Sequence, residues 1–349
     1  MKFSIMIVQT TPEGSAERYG EITEQVMLAE ELGYERVWLV AHEFTDFSRP
    51  ASMLTASYLA AMTSRIRLGI GVSVLPLQHP LRIAEEAAVL DHLSGGRLDF
   101  GVGRGIQPEA YAAYGLPMDD AAGRLWEAIE ILVQAWTKEE FSYDGKFWQI
   151  PPTKVRPRPV QRPHPPLWAV GVSPSSIRRV AASGLNGLIG TYMNTLDEVG
   201  EDMRLWRQER EQSLDGERRA SGEPRPLLAH NEIVYVAESD ERAKAEAEAG
   251  AMWYSRGAAA TWEGDVARLP DSYAHWRGLS RRTASLTWDD LFERRSLMGS
   301  PERVASKIRQ VASYGIDELI LFMGFGTLEH ARTLASMRLF AERVMPIIS

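Results

Sequence analysis

The stretch TSRIRLGIGVSVLPLQHPLRIAEEAAVLDHLSGGRLDFGVGRG, residues 63–105, reads as one strand–helix–strand unit. RLGIGVSV (67–74) is the first strand of the unit and RLDFGVG (97–103) the second. Between them Pro80 opens a helix over 80–92, since its missing N–H is one the first turn leaves unpaired anyway. A crossover helix returns the chain in its starting direction, so the two strands pair in parallel.

The same alternation runs outward in both directions. KFSIMIV (2–8) is apolar without alternation, as a strand covered on both faces must be. Ile22, Val26, Ala29 and Leu32 fall on one face of a helix over 18–32, and Gly33 follows where a helix end favours positive φ. ERVWLV (35–40) is the next strand, and a helix over 52–63 leads into the opening unit. Downstream, residues 123–136 place Leu125, Ala128, Ile129, Leu132, Val133 and Trp136 on one stripe. PLWAVG (166–171), GLIGTY (187–192), NEIVYVA (231–237) and DELILFM (317–323) complete eight strands. Eight βα units can close into a (β/α)8 TIM barrel with no exposed edge. A doubly wound open sheet is the rival, but the first turn carries no GxGxxG. The expectation is one α/β barrel domain over 1–349.

Two stretches interrupt the pattern. Residues 137–166 hold FSYDGKFW, a hairpin around Asp144–Gly145, and then the proline-rich PPTKVRPRPVQRPHPP, which suits an extended surface connection. Residues 250–298 carry Trp253, Trp262, Trp276 and Trp288 without a strand pattern, and read as a long irregular insertion. Such a segment either closes over a site as a lid or simply packs.

Composition narrows the chemistry. The 39 Lys and Arg are scattered among 47 Asp and Glu for a net charge of −8, which disfavours a nucleic-acid partner. With no cysteine, a disulfide framework, a thiolate metal site and a cysteine nucleophile are excluded. The histidines show no metal spacing, and neither HExxH nor GxSxG occurs. The apolar run Phe3–Val8 is too short for a signal peptide, so the expectation is a soluble, cytoplasmic protein without membrane contact.

Barrel active sites lie beyond the C-terminal ends of the strands. His42 follows the second strand and can serve as acid, base or donor near neutral pH; from position alone it equally suits capping or packing. Gly69 and Gly71 inside a buried strand imply that a flat ligand or a bulge comes close to the backbone. His79, before Pro80, reads as a cap. Arg104 within GVGRG and Arg124 at the next helix start offer two cations for a phosphate or carboxylate. Ser173, Ser175 and Ser176 around Pro174 add hydroxyls and free N–H groups at a helix start, a phosphate site or an ordinary N-cap. The Walker pattern is absent, which disfavours a nucleoside triphosphate.

These segments, with MKFSIMI, GYERVWLVAHEF, the SPSS turn and GSPERVASKIRQVASYGIDELILFMGFG, resemble the bacterial luciferase-like family of flavin-dependent monooxygenases, in layout the luciferase α subunit. The resemblance implies a dimeric barrel that takes reduced FMN from a separate flavin reductase. It further implies that O2 is the cosubstrate, activated as a flavin hydroperoxide to oxygenate a small organic molecule. It puts the FMN phosphate on Arg104, Arg124, Ser173 and Ser176. The isoalloxazine would lie near Gly71–Val72, where the family often has a non-proline cis peptide, and His42 beside the reacting flavin. The family's usual Glu-His-His-Phe is Ala41-His42-Glu43-Phe44 here, and Ile106-Gln107 replaces the aromatic residue after the GRG turn. Glu43, Ile106 and Gln107, with Trp253, are therefore candidate substrate-pocket residues, and the changes argue against a long-chain aldehyde and light emission. Two other readings remain open: a deazaflavin-dependent hydride-transfer enzyme, and a non-catalytic flavin-binding partner subunit.

Overall fold

A computed structural model describes residues 1–8, 19–44, 52–213, 225–263 and 269–348. The strands are β1 Lys2–Val8, β2 Arg36–Val40, β3 Arg67–Val74, β4 Leu98–Gly103, β5 Phe141–Asp144, β6 Gln149–Thr153, β7 Leu167–Gly171, β8 Asn186–Ile189, β9 Leu228–Val236, β10 Leu297–Gly299 and β11 Glu318–Phe322. Pairing runs β11-β1-β2-β3-β4-β7-β8-β9 in parallel, and β9 returns to β11, so the sheet closes into a (β/α)8 barrel. The short β10 pairs with β9 outside this ring. β5 and β6 form a separate antiparallel pair within the 137–166 insertion.

Strand boundaries differ from expectation where the apolar run is a poor guide. β9 starts at Leu228, three residues before the polar Asn231 that had marked its beginning, and β8 ends at Ile189, with Thr191–Met193 forming a turn. The stretch 250–298 is not irregular. It contains the end of a helix Asp240–Glu263, then helices Ala274–Ala284 and Trp288–Arg294. The long helix buries a stripe of small residues, Ala243, Ala247 and Ala251, with Tyr254 beyond. An alanine stripe among charges carries little apolar signal, which hides the periodicity. Residues 264–268 and the Trp262 side chain lie outside the described residues. Among the described residues no helix is long and apolar enough to cross a membrane.

Outward-facing residues of the strands, such as Val37, Leu39, Leu68, Ile70, Phe100 and Val102, pack against the helices in the main core. His79 caps the helix Pro80–Leu93, its ring nitrogen accepting from the Leu81 N–H at 3.3 Å. The inner face of the barrel floor is ionic. Arg36, whose side chain is 3% exposed, lies 3.5 Å from Asp99 and 3.3 Å from Glu318, both as deeply buried. Ser4 Oγ and Trp38 Nε1 donate to Glu318 at 2.7 and 3.0 Å, and Trp168 Nε1 donates to Asp99 at 3.2 Å. The Arg36 guanidinium stands 5.5 and 5.0 Å from the rings of Trp38 and Trp168, which meet edge to face.

Trp38 explains one of the sequence signals. Its indole lies against Gly69, where a Cβ would fall 2.6 Å from Trp38 Cδ2. The close approach read at this glycine is therefore made by the protein's own tryptophan, and the β3–β4 register also shifts between Ile70 and Ser73. Gly69→Ala is expected to overpack this layer and lower stability by about 1–3 kcal/mol. Urea unfolding checks this, and a midpoint equal to the wild type would show that Trp38 can yield.

Candidate functional site

Above the floor, at the C-terminal ends of the strands, the barrel holds a cavity of about 390 Å3. That volume is within the range of small-molecule and cofactor sites. Trp38 and Met6 form its base, and each strand adds residues in barrel order. β2 leads to Ala41 and His42, β3 supplies Gly71 and Val72, and β4 leads to Gly103–Gln107. β7 leads to Val172, Ser173, Ser175 and Ser176, β8 to Gly190–Met193, and β9 gives Ala229 and Asn231. Tyr254 and Trp276 reach in from the helices beyond β9.

His42 is drawn to this wall because β2 ends at Val40 and the next residues turn over the cavity. Burial pushes its imidazole down to about 4, so the ring is neutral at physiological pH. Glu43, beside it, does not line the cavity, and burial raises its carboxyl above the usual range. The Gly71–Val72 peptide bond is cis, and both residues face the cavity.

Arg104 sits between two glycines. A Cβ on Gly103 would come 2.7 Å from Val72, and Gly105 has φ +72°, so the chain turns tightly around the arginine. Its guanidinium lies 3.9 Å from the centre of the Tyr273 ring, and one Nη donates to the Ser272 carbonyl at 3.1 Å. The Tyr111 hydroxyl donates to the Arg104 carbonyl. Beyond the end of the neighbouring strand β7, the serine turn opens the helix Pro174–Ser183 with a capping box. Ser173 Oγ accepts from the Ser176 N–H at 3.3 Å, while Ser176 Oγ accepts from the N–H groups of Ser173 and Val172 at 2.9 and 3.0 Å. The cap reading is thus realised, and the same hydroxyls line the cavity.

Not every candidate converges. Arg124 does not line the cavity: its Nε donates to the Pro76 carbonyl at 3.1 Å and its guanidinium lies 4.7 Å from the Trp148 ring. Trp253 also lies outside it, packed on the inner core near Gly326, because the helix register turns its neighbour Tyr254 inward instead. Ile106 and Gln107 do line it, and Gln107 is buried, its Nε2 without a hydrogen-bond partner among the described residues. Sequence reasoning missed Arg179, which lines the cavity and lies 4.7 Å from the Trp126 ring. Its signal was available: Arg179 is four residues after Ser175, on the same helix face. Asn231 was missed too, although it alternates with Ala229 on the inner face of β9.

Over residues 1–318 the chain matches the family model described as luciferase-like monooxygenase. The oxygenase component of the flavin-dependent trigonelline monooxygenase of Acinetobacter baylyi is 28% identical over 365 residues, covering 100% of this chain and 96% of that one. The alkanal monooxygenase alpha chain of Photorhabdus luminescens is 28% identical over 175 residues, 50% of this chain and 48% of that one. Several curated relatives are matched over about half their length. Among solved structures, the monooxygenase RslO1 from Streptomyces bottropensis superposes with a TM-score of 0.83 at 25% identity, covering 100% of both chains.

The state of His42 gives a pH test. Its folded pKa of about 4 lies below the usual 6.5, so between these values the unfolded chain binds the extra proton. Stability from this group is complete above pH 6.5 and is lost as pH falls toward 4. In the ligand-free protein the His42 ring protons are expected to titrate near pH 4 by NMR, and a midpoint near 6.5 would contradict the buried, neutral ring.

Proposed function

The chain belongs to the luciferase-like monooxygenase family, and from that premise we propose that it is the oxygenase of a two-component system. It takes reduced FMN from a separate flavin reductase and uses O2 to oxygenate a small organic molecule. The observation that carries this reading is that Arg104, Ser173, Ser176, Gly71, Val72 and His42 face one cavity. A relative named as an oxygenase component supports the division of labour with a reductase.

The donor set suits a phosphate dianion: a guanidinium, serine hydroxyls and the positive end of a helix. Arg104, Ser173 and Ser176 would hold the phosphate, with Arg179 at the rim. Arg124 would join only by leaving the Pro76 carbonyl and the Trp148 ring. The ring system would lie against Gly71–Val72. Bound reduced flavin supplies the electrons that oxygen activation needs. His42, neutral, can donate from one ring nitrogen and accept at the other, which lets it orient or exchange a proton with the reacting molecule. Tyr254 and Trp276 exclude water from the far side.

A homodimer is part of the proposal. Leu54, Tyr58 and Met62, 74%, 51% and 43% exposed, form one stripe of the helix Ser52–Met62. Val89 and Leu93 extend it on the packed neighbour Pro80–Leu93. An apolar face of this kind marks an association surface. Sedimentation of Leu54→Glu is expected to give a monomer where the wild type is a dimer; a monomeric wild type would end the idea.

Arg104→Ala is expected to weaken FMN binding by about 1.5–3 kcal/mol, the scale of a hydrogen bond to a charged group. His42→Ala should keep FMN affinity and lose product formation. Oxygen uptake by the purified protein with reduced FMN separates oxygenation from hydride transfer, which consumes none. Unchanged FMN affinity in Arg104→Ala would reject the phosphate placement, and no uptake at all would reject the oxygenase.

A further inference from the structure

The charges of the cavity are segregated. Among the described residues, the two cations that line it, Arg104 and Arg179, stand on the side of β4 and β7. The opposite side, from β8 through β9 and β11 to β1 and β2, has no Asp, Glu, Lys or Arg among the described lining residues. Its titratable groups are the phenols of Tyr192 and Tyr254 and the His42 imidazole. Burial pushes the Tyr192 hydroxyl well up and that of Tyr254 to about 12, while His42 is held down at about 4. Each is therefore uncharged across the physiological range. The aromatic rings pack together, Tyr192 and Tyr254 with centroids 5.8 Å apart and Tyr254 edge-on to Phe322 at 4.8 Å. Met193, Val8 and Ile320 add apolar surface to this wall, and Thr191 also lines it, its hydroxyl accepting from the Met193 N–H at 3.4 Å.

One amide interrupts that surface. Asn231 lines the cavity from the inner face of β9, half-buried, between the apolar positions Ala229 and Ile233 of its strand. A carboxamide offers both a donor and an acceptor, so it can read a carbonyl, hydroxyl or ring nitrogen.

Among the described residues, a carboxylate or sulfonate entering this half would leave water without meeting an opposite charge, and a quaternary ammonium would meet only the aromatic rings of Tyr192, Tyr254 and Trp276. Dipoles alone repay that poorly. An uncharged molecule keeps the gain of apolar burial and satisfies its polar atom on the amide. We propose that the substrate is an uncharged, largely apolar organic molecule carrying one hydrogen-bonding oxygen or nitrogen that the Asn231 carboxamide reads. The proposal rests on the FMN reading, in that the phosphate occupies the cations on the other side.

Equilibrium dialysis of the full chain loaded with FMN against 2-acetylnaphthalene, 2-naphthoate and (2-naphthylmethyl)trimethylammonium tests it. The ketone is expected to bind at least about tenfold more tightly than either charged probe. Asn231→Leu is expected to cost the ketone about tenfold, the scale of one lost hydrogen bond, and to leave naphthalene binding unchanged. A charged probe binding as tightly as the ketone, or no binding of the ketone, overturns the proposal, and the wild-type ranking decides even if the variant fails to fold. FMN retention is read separately by its absorbance. If FMN does not bind, the cofactor reading fails, and the same ranking in saturating inorganic phosphate still decides the substrate class.

Discussion

The rest of the molecule is built on Arg36. Its guanidinium lies on the barrel axis side of β2, between the carboxylates of Asp99 on β4 and Glu318 on β11, with two indoles beside it. Removing three charges from water is expensive, and pairing repays the cost only when hydrogen bonds satisfy the remaining atoms. Here Ser4, Trp38, Trp168 and Arg67 donate to the two carboxylates, Arg67 to Asp99 at 2.6 Å, while among the described residues Arg36 Nε and Nη1 and Glu318 Oε2 make no hydrogen bond and rely on the ion pairs and ring contacts. The cluster ties β1, β2, β3, β4, β7 and β11 together from inside. Trp38, one of the two indoles beside the guanidinium, also lines the cavity.

The site inherits its polarity from this arrangement. With these ionic groups held in the floor, the cavity above draws its charge, among the described residues, from Arg104 and Arg179 on one side alone. The serine turn serves two purposes with one set of atoms. It satisfies the first N–H groups of a helix and presents hydroxyls to the cavity, so those hydroxyls are held in place by the same bonds that start the helix. His42 belongs to neither group. Its neutrality comes from desolvation, which makes it a hydrogen-bonding group and not a third cation.

Much of this was legible in the chain. Alternating apolar runs and helical stripes gave all eight barrel strands, and the positions of Arg104 and the serines beyond strand ends brought them to one mouth. Other parts could not be read. A pattern of residue types does not say which neighbour on a helix turns inward, so Trp253 was favoured over Tyr254. Nor does it say how a long cation orients, and Arg124 lies against Trp148 while Arg179 reaches the cavity. The glycines of β3 announced a close approach without naming its source, because Trp38 is distant in sequence and adjacent only through β2–β3 pairing. The helices within 250–298 were obscured by alanines, whose burial adds little to an apolar pattern.

The contact of Trp38 with Gly69 also limits how this sequence can drift. A side chain at 69 is admissible only if position 38 gives up its indole, and that indole holds a hydrogen bond to Glu318 and a face of Arg36. The two positions are therefore energetically non-additive with each other and with the ion cluster. A change tolerated in a relative with a smaller residue at 38 would be harmful here. Descent through this barrel floor therefore has to proceed by paired replacements.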